Sequence, residues 1–380
     1  MPRHHSAITI KCSVTIYQYT LVNTIKRESA SPLVNIPLVI MKLAPVIVFN
    51  YNRPDHSRRT WEALAKNQFA SETELYLYCD GPKEVTSERT SELTNERIRK
   101  NLALVEEVQK QAKQYASDAV KDGKFKAVHV VCAEQNKGLA NSIIGGVTDV
   151  INKHGRVIVL EDDLLTSPYF LKYMNEALDK YESYPAVFTI SANRPPVNKM
   201  AIPADYPYDV FVSLRPFSTG WATWKDKWDR IDWSLDYLED FLQHPEQIKA
   251  FHHGGEDLTN MLLMQRDGKI DSWAIRYAFQ HFYHHAVAIL PCIPYVDNIG
   301  FDGTGIHSWN DETDFRNNVS RAPENPRFPN IIYEDERIIN AFFSYYCHNR
   351  RPLWQKAINT IYRKFWNPVP YIIKKKVYND

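Results

Sequence analysis

Three consecutive acidic residues, Glu161, Asp162 and Asp163, end the apolar run Val157 to Leu160 in the stretch "VIVLEDDLLTSPYF". Like charges packed at the end of a buried strand repel one another and resist desolvation, so such a cluster calls for a positive partner. A divalent cation such as Mg²⁺ or Mn²⁺ takes oxygen ligands and often bridges one or two carboxylates to a substrate diphosphate, a role that suits Asp162 and Asp163. The plainer alternative is an acidic turn that complements the dipole of a following helix.

The surrounding elements decide where this triplet sits. Four short β-branched and aromatic runs, Pro45 to Phe49, Glu74 to Cys79, Lys126 to Cys132 and Arg156 to Leu160, alternate with helical patterns. Pro54 can open a first helix carrying Trp61 and Leu64, and Ile98, Leu102, Val105 and Ala112 form a second stripe. Leu139, Ile143, Val147 and Ile151 form a third, which Gly155 stops. The alternation predicts an α/β fold with a mostly parallel sheet flanked by helices. After the triplet, Ser167 and Pro168 read as the N-cap and first residue of a helix with Phe170, Met174, Leu178 and Tyr181 on one face. The carboxylates therefore fall at the carboxyl end of a strand, where open α/β sheets bind ligands. From Val187 onward the strands expected at Val187 to Ser191, Asp209 to Ser213 and Ala286 to Leu290 are spaced by longer Trp-, Pro- and His-rich segments, an irregular substrate-facing half.

Composition narrows the class. The chain has 380 residues, 44% of them hydrophobic, enough for a substantial core. Lys and Arg total 46 against 45 for Asp and Glu, so no global charge draws it to nucleic acid. Five cysteines, Cys12, Cys79, Cys132, Cys292 and Cys347, are far apart and never form CxxC, which argues against a disulfide framework or a zinc site and for a reducing cytoplasm. Residues 1 to 43 lack a signal-peptide layout and read as a disordered extension. From Cys347 onward eight basic residues accompany one acid, with Trp354, Ile358, Ile361 and Phe365 at helical spacing. Such a tail packs on the domain or lies peripherally on the anionic inner face of a membrane.

Several segments together resemble the nucleotide-sugar glycosyltransferases of the GT-A fold, particularly the N-acetylglucosaminyltransferase I family and related bacterial sugar transferases. Glu161-Asp162-Asp163-Leu164, with Pro168, Tyr169 and Phe170 behind it, is similar to that family's acidic motif. The resemblance implies that Asp163 binds the metal while Glu161 and Asp162 lie by the ribose and donor sugar. "VFNYNRP" places Arg53 where the family has a base-contacting arginine, and "YCDGP" places Asp80 at its uracil-reading acid. In "NKGLANS", Lys137 and Gly138 open a helix where a cation and backbone amides could meet a phosphate. "RPFSTGWATW", with Gly220, Trp221 and Trp224, resembles a segment shaping the donor and acceptor pocket.

"DSWAIRY" resembles the stretch with the catalytic base, here Asp271, although Ser272 stands directly before the tryptophan where the family has its aspartate. Glu256-Asp257 in "GGEDL" is the rival base, and His307 in "NIGFDGTGIHS" is a candidate ligand of the metal or diphosphate. The implied enzyme is an inverting, Mn²⁺- or Mg²⁺-dependent transferase that moves a sugar, N-acetylglucosamine in the namesake family, from a UDP-sugar to a glycan or lipid-linked acceptor in polysaccharide or glycoconjugate synthesis. The domain would span 44–320, with a nucleotide-binding half at 44–165, an acceptor-side half at 166–320 and a helical basic tail at 321–380. A non-catalytic nucleotide- or glycan-binding protein on the same fold, or a glycoside hydrolase using a carboxylate pair, is the competing reading.

Overall fold

The computed structural model describes residues 41–83, 92–302 and 316–347. The expected extension at 1–40, the tail from residue 348 onward and His307 lie outside them. The first half alternates strand and helix: β1 (Val46–Asn50), α1 (Pro54–Ala65), β2 (Glu74–Cys79), α2 (Glu92–Lys121), β3 (Ala127–Cys132), α3 (Leu139–His154) and β4 (Arg156–Glu161). There follow β5 (Leu164–Thr166), α4 (Phe170–Tyr181), β6 (Val187–Ser191), β7 (Val210–Ser213) and β8 (Trp221–Trp224). Five helices come next: α5 (Lys225–Trp228), α6 (Leu238–Leu242), α7 (Pro245–Phe251), α8 (Asp257–Arg266) and α9 (Trp273–Tyr283). The last described elements are β9 (Val287–Pro291), β10 (Val296–Asn298) and α10 (Glu336–Cys347).

Eight strands form one sheet in the order β3-β2-β1-β4-β8-β6-β9-β7, in which β3, β2, β1 and β4 run parallel. Strand β8 enters antiparallel between β4 and β6. Side chains alternate faces along a strand, and the two cores obey that period. Val46 and Val48 of β1 and Ile158 and Leu160 of β4 belong to one apolar cluster, whereas Ile47, Phe49, Val157 and Val159 belong to the other. Both faces are covered, which is why the parallel strands read as unbroken apolar runs. Gly155 ends α3 in the left-handed region, with φ of 80°, and its amide donates to Ile151 at 2.8 Å.

Two local readings of the sequence are corrected. No helix begins at Ser167: β5 follows the acidic triplet and pairs antiparallel with β10, and α4 starts at Phe170. Ser167 instead forms a turn, its hydroxyl accepting from the Tyr169 amide at 3.3 Å. "WATW" is not pocket wall but the interior strand β8, all four residues buried. No helix among the described residues is long and apolar enough to cross a membrane.

Where α9 meets β6, His281 is fully buried, with Nε2 2.9 Å from the Thr189 hydroxyl and Nδ1 donating to the Tyr277 carbonyl at 2.9 Å. Burial pulls its pKa from 6.5 down to about 4. The unfolded chain therefore takes up this proton first as pH falls below 6.5. The contribution of neutral His281 is complete above that pH and is lost towards pH 4, at no more than about 1.4 kcal/mol per pH unit. The gap in urea midpoint between the native chain and His281→Asn should shift against the native chain as the pH is lowered from 7.5 to 5; a gap independent of pH would remove His281 from the account.

Candidate active site

The carboxyl ends of β1, β2 and β4 meet because the parallel register sets Phe49 opposite Glu161 and Asn50 opposite Cys79. Above them opens a cleft of about 520 Å³, within the range of small-molecule sites. Arg53, Asp80, Lys137, Glu161, Asp162, Asp163 and Asp271 all line it, brought together from five separate segments of the chain.

The positive partner demanded by the acidic triplet is Arg53. Its guanidinium pairs with Asp162 and reaches Asp163 Oδ2 at 3.0 Å, and all three side chains are less than a fifth exposed. Burial alone would lower the Arg53 pKa, but Asp162 and Asp163 outweigh it and hold the charge firmly in place. On the acids the balance runs the other way. Burial, then the charges of Asp163 and Asp162, raises Glu161 against the pull of Arg53. Burial likewise raises Asp162, with Arg53 opposing it. One guanidinium thus does not neutralise the cluster.

Backbone contacts fix the turn. The Tyr51 amide donates to Asp162 Oδ2 at 3.4 Å, Thr60 Oγ1 donates to the Asp162 carbonyl at 2.8 Å, and the Ile299 amide donates to the Asp163 carbonyl at 2.9 Å. Gly300 is what lets the segment after β10 approach: a Cβ there would stand 2.1 Å from Asp163 Oδ2. On the other wall, Gly146 of α3 leaves room for the Phe49 and Tyr78 rings, 2.7 and 3.0 Å from where its Cβ would be. Neither glycine nor the cleft-lining Asn50, whose Oδ1 accepts from Trp61 Nε1 at 3.0 Å, stood out in the sequence. Both glycines are needed by partners remote in the chain, and Asn50 by the helix that follows its strand.

Asp80 has a structural job in addition to facing the cleft. Its carboxylate accepts from the amides of Lys137 at 2.8 Å and Gly138 at 3.2 Å and from Asn136 Nδ2 at 2.8 Å. The amides at the start of α3 that could have met a phosphate are here engaged by Asp80. Asp271 stands across the cleft, 59% exposed, with Arg276 at 3.2 Å; the Ser272 hydroxyl caps α9 by accepting from the Ile275 amide.

The other candidates are not brought in. Trp221 is 1% exposed, stacked on Trp273 at 5.0 Å and Trp228 at 5.8 Å. Gly220, at φ of 73°, is packed against Ala192, Val296 and Leu160. Both serve the core, because β8 is interior to the sheet. The rival base Asp257 is bound by Arg215 at 2.9 Å, and neither it nor Glu256 lines the cleft.

Among the described residues, six carboxylates, those of Asp80, Asp149, Glu161, Asp162, Asp163 and Asp271, line the cleft against three cationic side chains, Arg53, Lys83 and Lys137. Hard oxygen donors in such excess fit Mg²⁺ or Mn²⁺. Among the described residues no three His, Cys, Asp or Glu side chains are arranged to hold an ion together. The Arg53 pairing is separately measurable. Arg53→Met should cost about 3–5 kcal/mol by stranding buried carboxylates, and chemical denaturation should show a smaller loss when Asp162→Asn is added.

The crystal structure of S. aureus TarS aligns with 14% identity over 47% of this chain and 28% of its own, at a TM-score of 0.28, too slight a likeness to bear on function. The chain spans less than a third of that protein's length. No curated protein matches. The model of the GNT-I family, a family of N-acetylglucosaminyltransferases, matches residues 18–253, well over half of the chain and with the strand-end acids, Arg53 and Asp80 inside the match. This protein belongs to the GNT-I family of glycosyltransferases.

Proposed function

We propose that this glycosyltransferase takes its sugar from a UDP-linked donor in the cleft above β1, β2 and β4, and that it requires Mn²⁺ or Mg²⁺. The observation that carries the reading is the charge imbalance: among the described residues the cleft's carboxylates outnumber its cationic side chains, and even with Glu161 protonated by its burial the excess repels an anionic diphosphate unless a cation accompanies it. Asp163 would hold the ion, with Glu161 and Asp162 beside it. When bound, such an ion supplies positive charge where the departing diphosphate accumulates negative charge.

The remaining work falls to the chain. Arg53 keeps Asp162 and Asp163 oriented, while Asp80 braces the loop that carries Lys137 beside the donor's phosphates. Asp271, which lines the cleft where Glu256 and Asp257 do not, would remove the acceptor hydroxyl's proton as that oxygen attacks the anomeric carbon from the side opposite the diphosphate. That single displacement inverts the configuration. Proton removal of this kind contributes roughly 10²- to 10⁴-fold. A glycan or lipid-linked acceptor fits this reading, and the basic stretch from Cys347 onward suits an anionic membrane surface.

Calorimetric titration with UDP should show binding with Mn²⁺ present, and loss of that binding with a chelator or in Asp163→Ala; equal binding in all three would remove the metal from the proposal. Asp271→Asn should retain UDP binding and lose transfer by about 10²-fold or more. Full transfer in that variant would make another group the base.

A further inference from the structure

Cys79 and Cys132, far apart in the sequence, are register partners, the last pair of the β2–β3 ladder. Their side chains share the face on which Leu75, Leu77 and Cys79 are buried and Val128, Val130 and Cys132 pack against them. Neighbouring strands lie about 4.7–4.9 Å apart, inside the 4.4–6.8 Å window of Cα separations that a disulfide bridges. Both thiols are free, with no disulfide between them. Cys79 is 2% exposed, whereas Cys132 is only half-buried, on the edge strand of the sheet.

We infer that Cys79 and Cys132 form a redox-active dithiol that closes to an intramolecular disulfide when a peroxide reaches the β3 edge. The pair is asymmetric in the way such chemistry needs. The neighbouring Cys79 thiol, helped by nearby Lys113, favours the thiolate at Cys132 against its partial burial. The same pairing, together with burial, keeps Cys79 protonated. Cys132 is the attacking sulfur: its thiolate takes one peroxide oxygen, giving a sulfenic acid and releasing hydroxide, which becomes water with a proton from solvent. The Cys79 sulfur then attacks that sulfenic sulfur; the S–S bond forms, the S–O bond breaks, and the oxygen leaves as water with the Cys79 proton. Two thiols and one peroxide become one disulfide and two waters. The bridge would cross-link the sheet one residue before Asp80, at the floor of the cleft, and its formation does not depend on which ligand the cleft takes.

The test uses the purified, reduced, full-length protein, treated briefly with hydrogen peroxide, alkylated and digested without reductant for mass spectrometry. The expected product is a Cys79–Cys132 peptide pair, reversed by dithiothreitol, while the Cys292 thiol, whose pKa burial pushes up to about 12, stays alkylatable once denatured. Cys79→Ser should stop at a Cys132 sulfenic acid trapped by dimedone, and Cys132→Ser should leave Cys79 a free thiol. Both thiols remaining free in the wild-type protein would overturn the inference, as would a stable Cys132 adduct beside a free Cys79, or a bridge from either to another cysteine. The wild-type result decides the matter even if a variant fails to fold.

Discussion

The ion pair of Arg53 with Asp162 and Asp163 is the contact on which the site depends. A strand that runs from the core into three carboxylates places charge where water is scarce, and one guanidinium, itself largely buried, makes that arrangement tolerable. Arg53 reaches the acids only because β1 and β4 are parallel neighbours and the chain turns into α1 directly after β1. The same neighbours give Asp162 an amide from Tyr51 and a hydroxyl from Thr60. The cleft edge of the sheet and the stability of the sheet are therefore one problem, solved by one set of contacts.

The rest of the sheet serves this edge from a distance. The interior strand β8 closes the far side of β4 with Trp221 and Trp224, and its tryptophans fill the two opposite faces. The apolar mass that keeps β4 in register is thus supplied by residues that never meet the cleft. In a strand of period two, a one-residue slip would exchange the clusters on the two faces and carry Glu161 out of line with Phe49.

How far the sequence foretold this varied with the range of the interactions involved. The four parallel strands were legible, since strands covered on both faces read as continuous apolar runs, and so was the strand-end position of the acids. Trp221 was not: its stacking partner Trp273 lies 52 positions further on, so the Gly220-Trp221 pair looks equally like pocket or core in one dimension. The three-residue strand β5 was also invisible, because pairing with β10 creates it and its own residues scarcely announce it. The strand-end position of Asp80 was legible, but its engagement with Lys137 and Gly138 was not, for a carboxylate that braces a loop and one that faces a ligand are the same letter. The Cys79–Cys132 pair shows the limit most plainly, since spacing rules consult only neighbours in the chain.

The backbone anchors of the acidic turn carry a thermodynamic consequence. Glu161 is held by the ladder with β1, Asp162 by α1, and Asp163 by the Ile299 amide after β10. The conformational entropy of ordering this turn is lost during folding, so an incoming ligand meets a preorganised set of oxygens and its intrinsic affinity is not diluted by having to arrange them. The three anchors come from three different elements. The segment after β10 bears directly on Asp163 and reaches Asp162 through the Arg53 side chain that the two acids share.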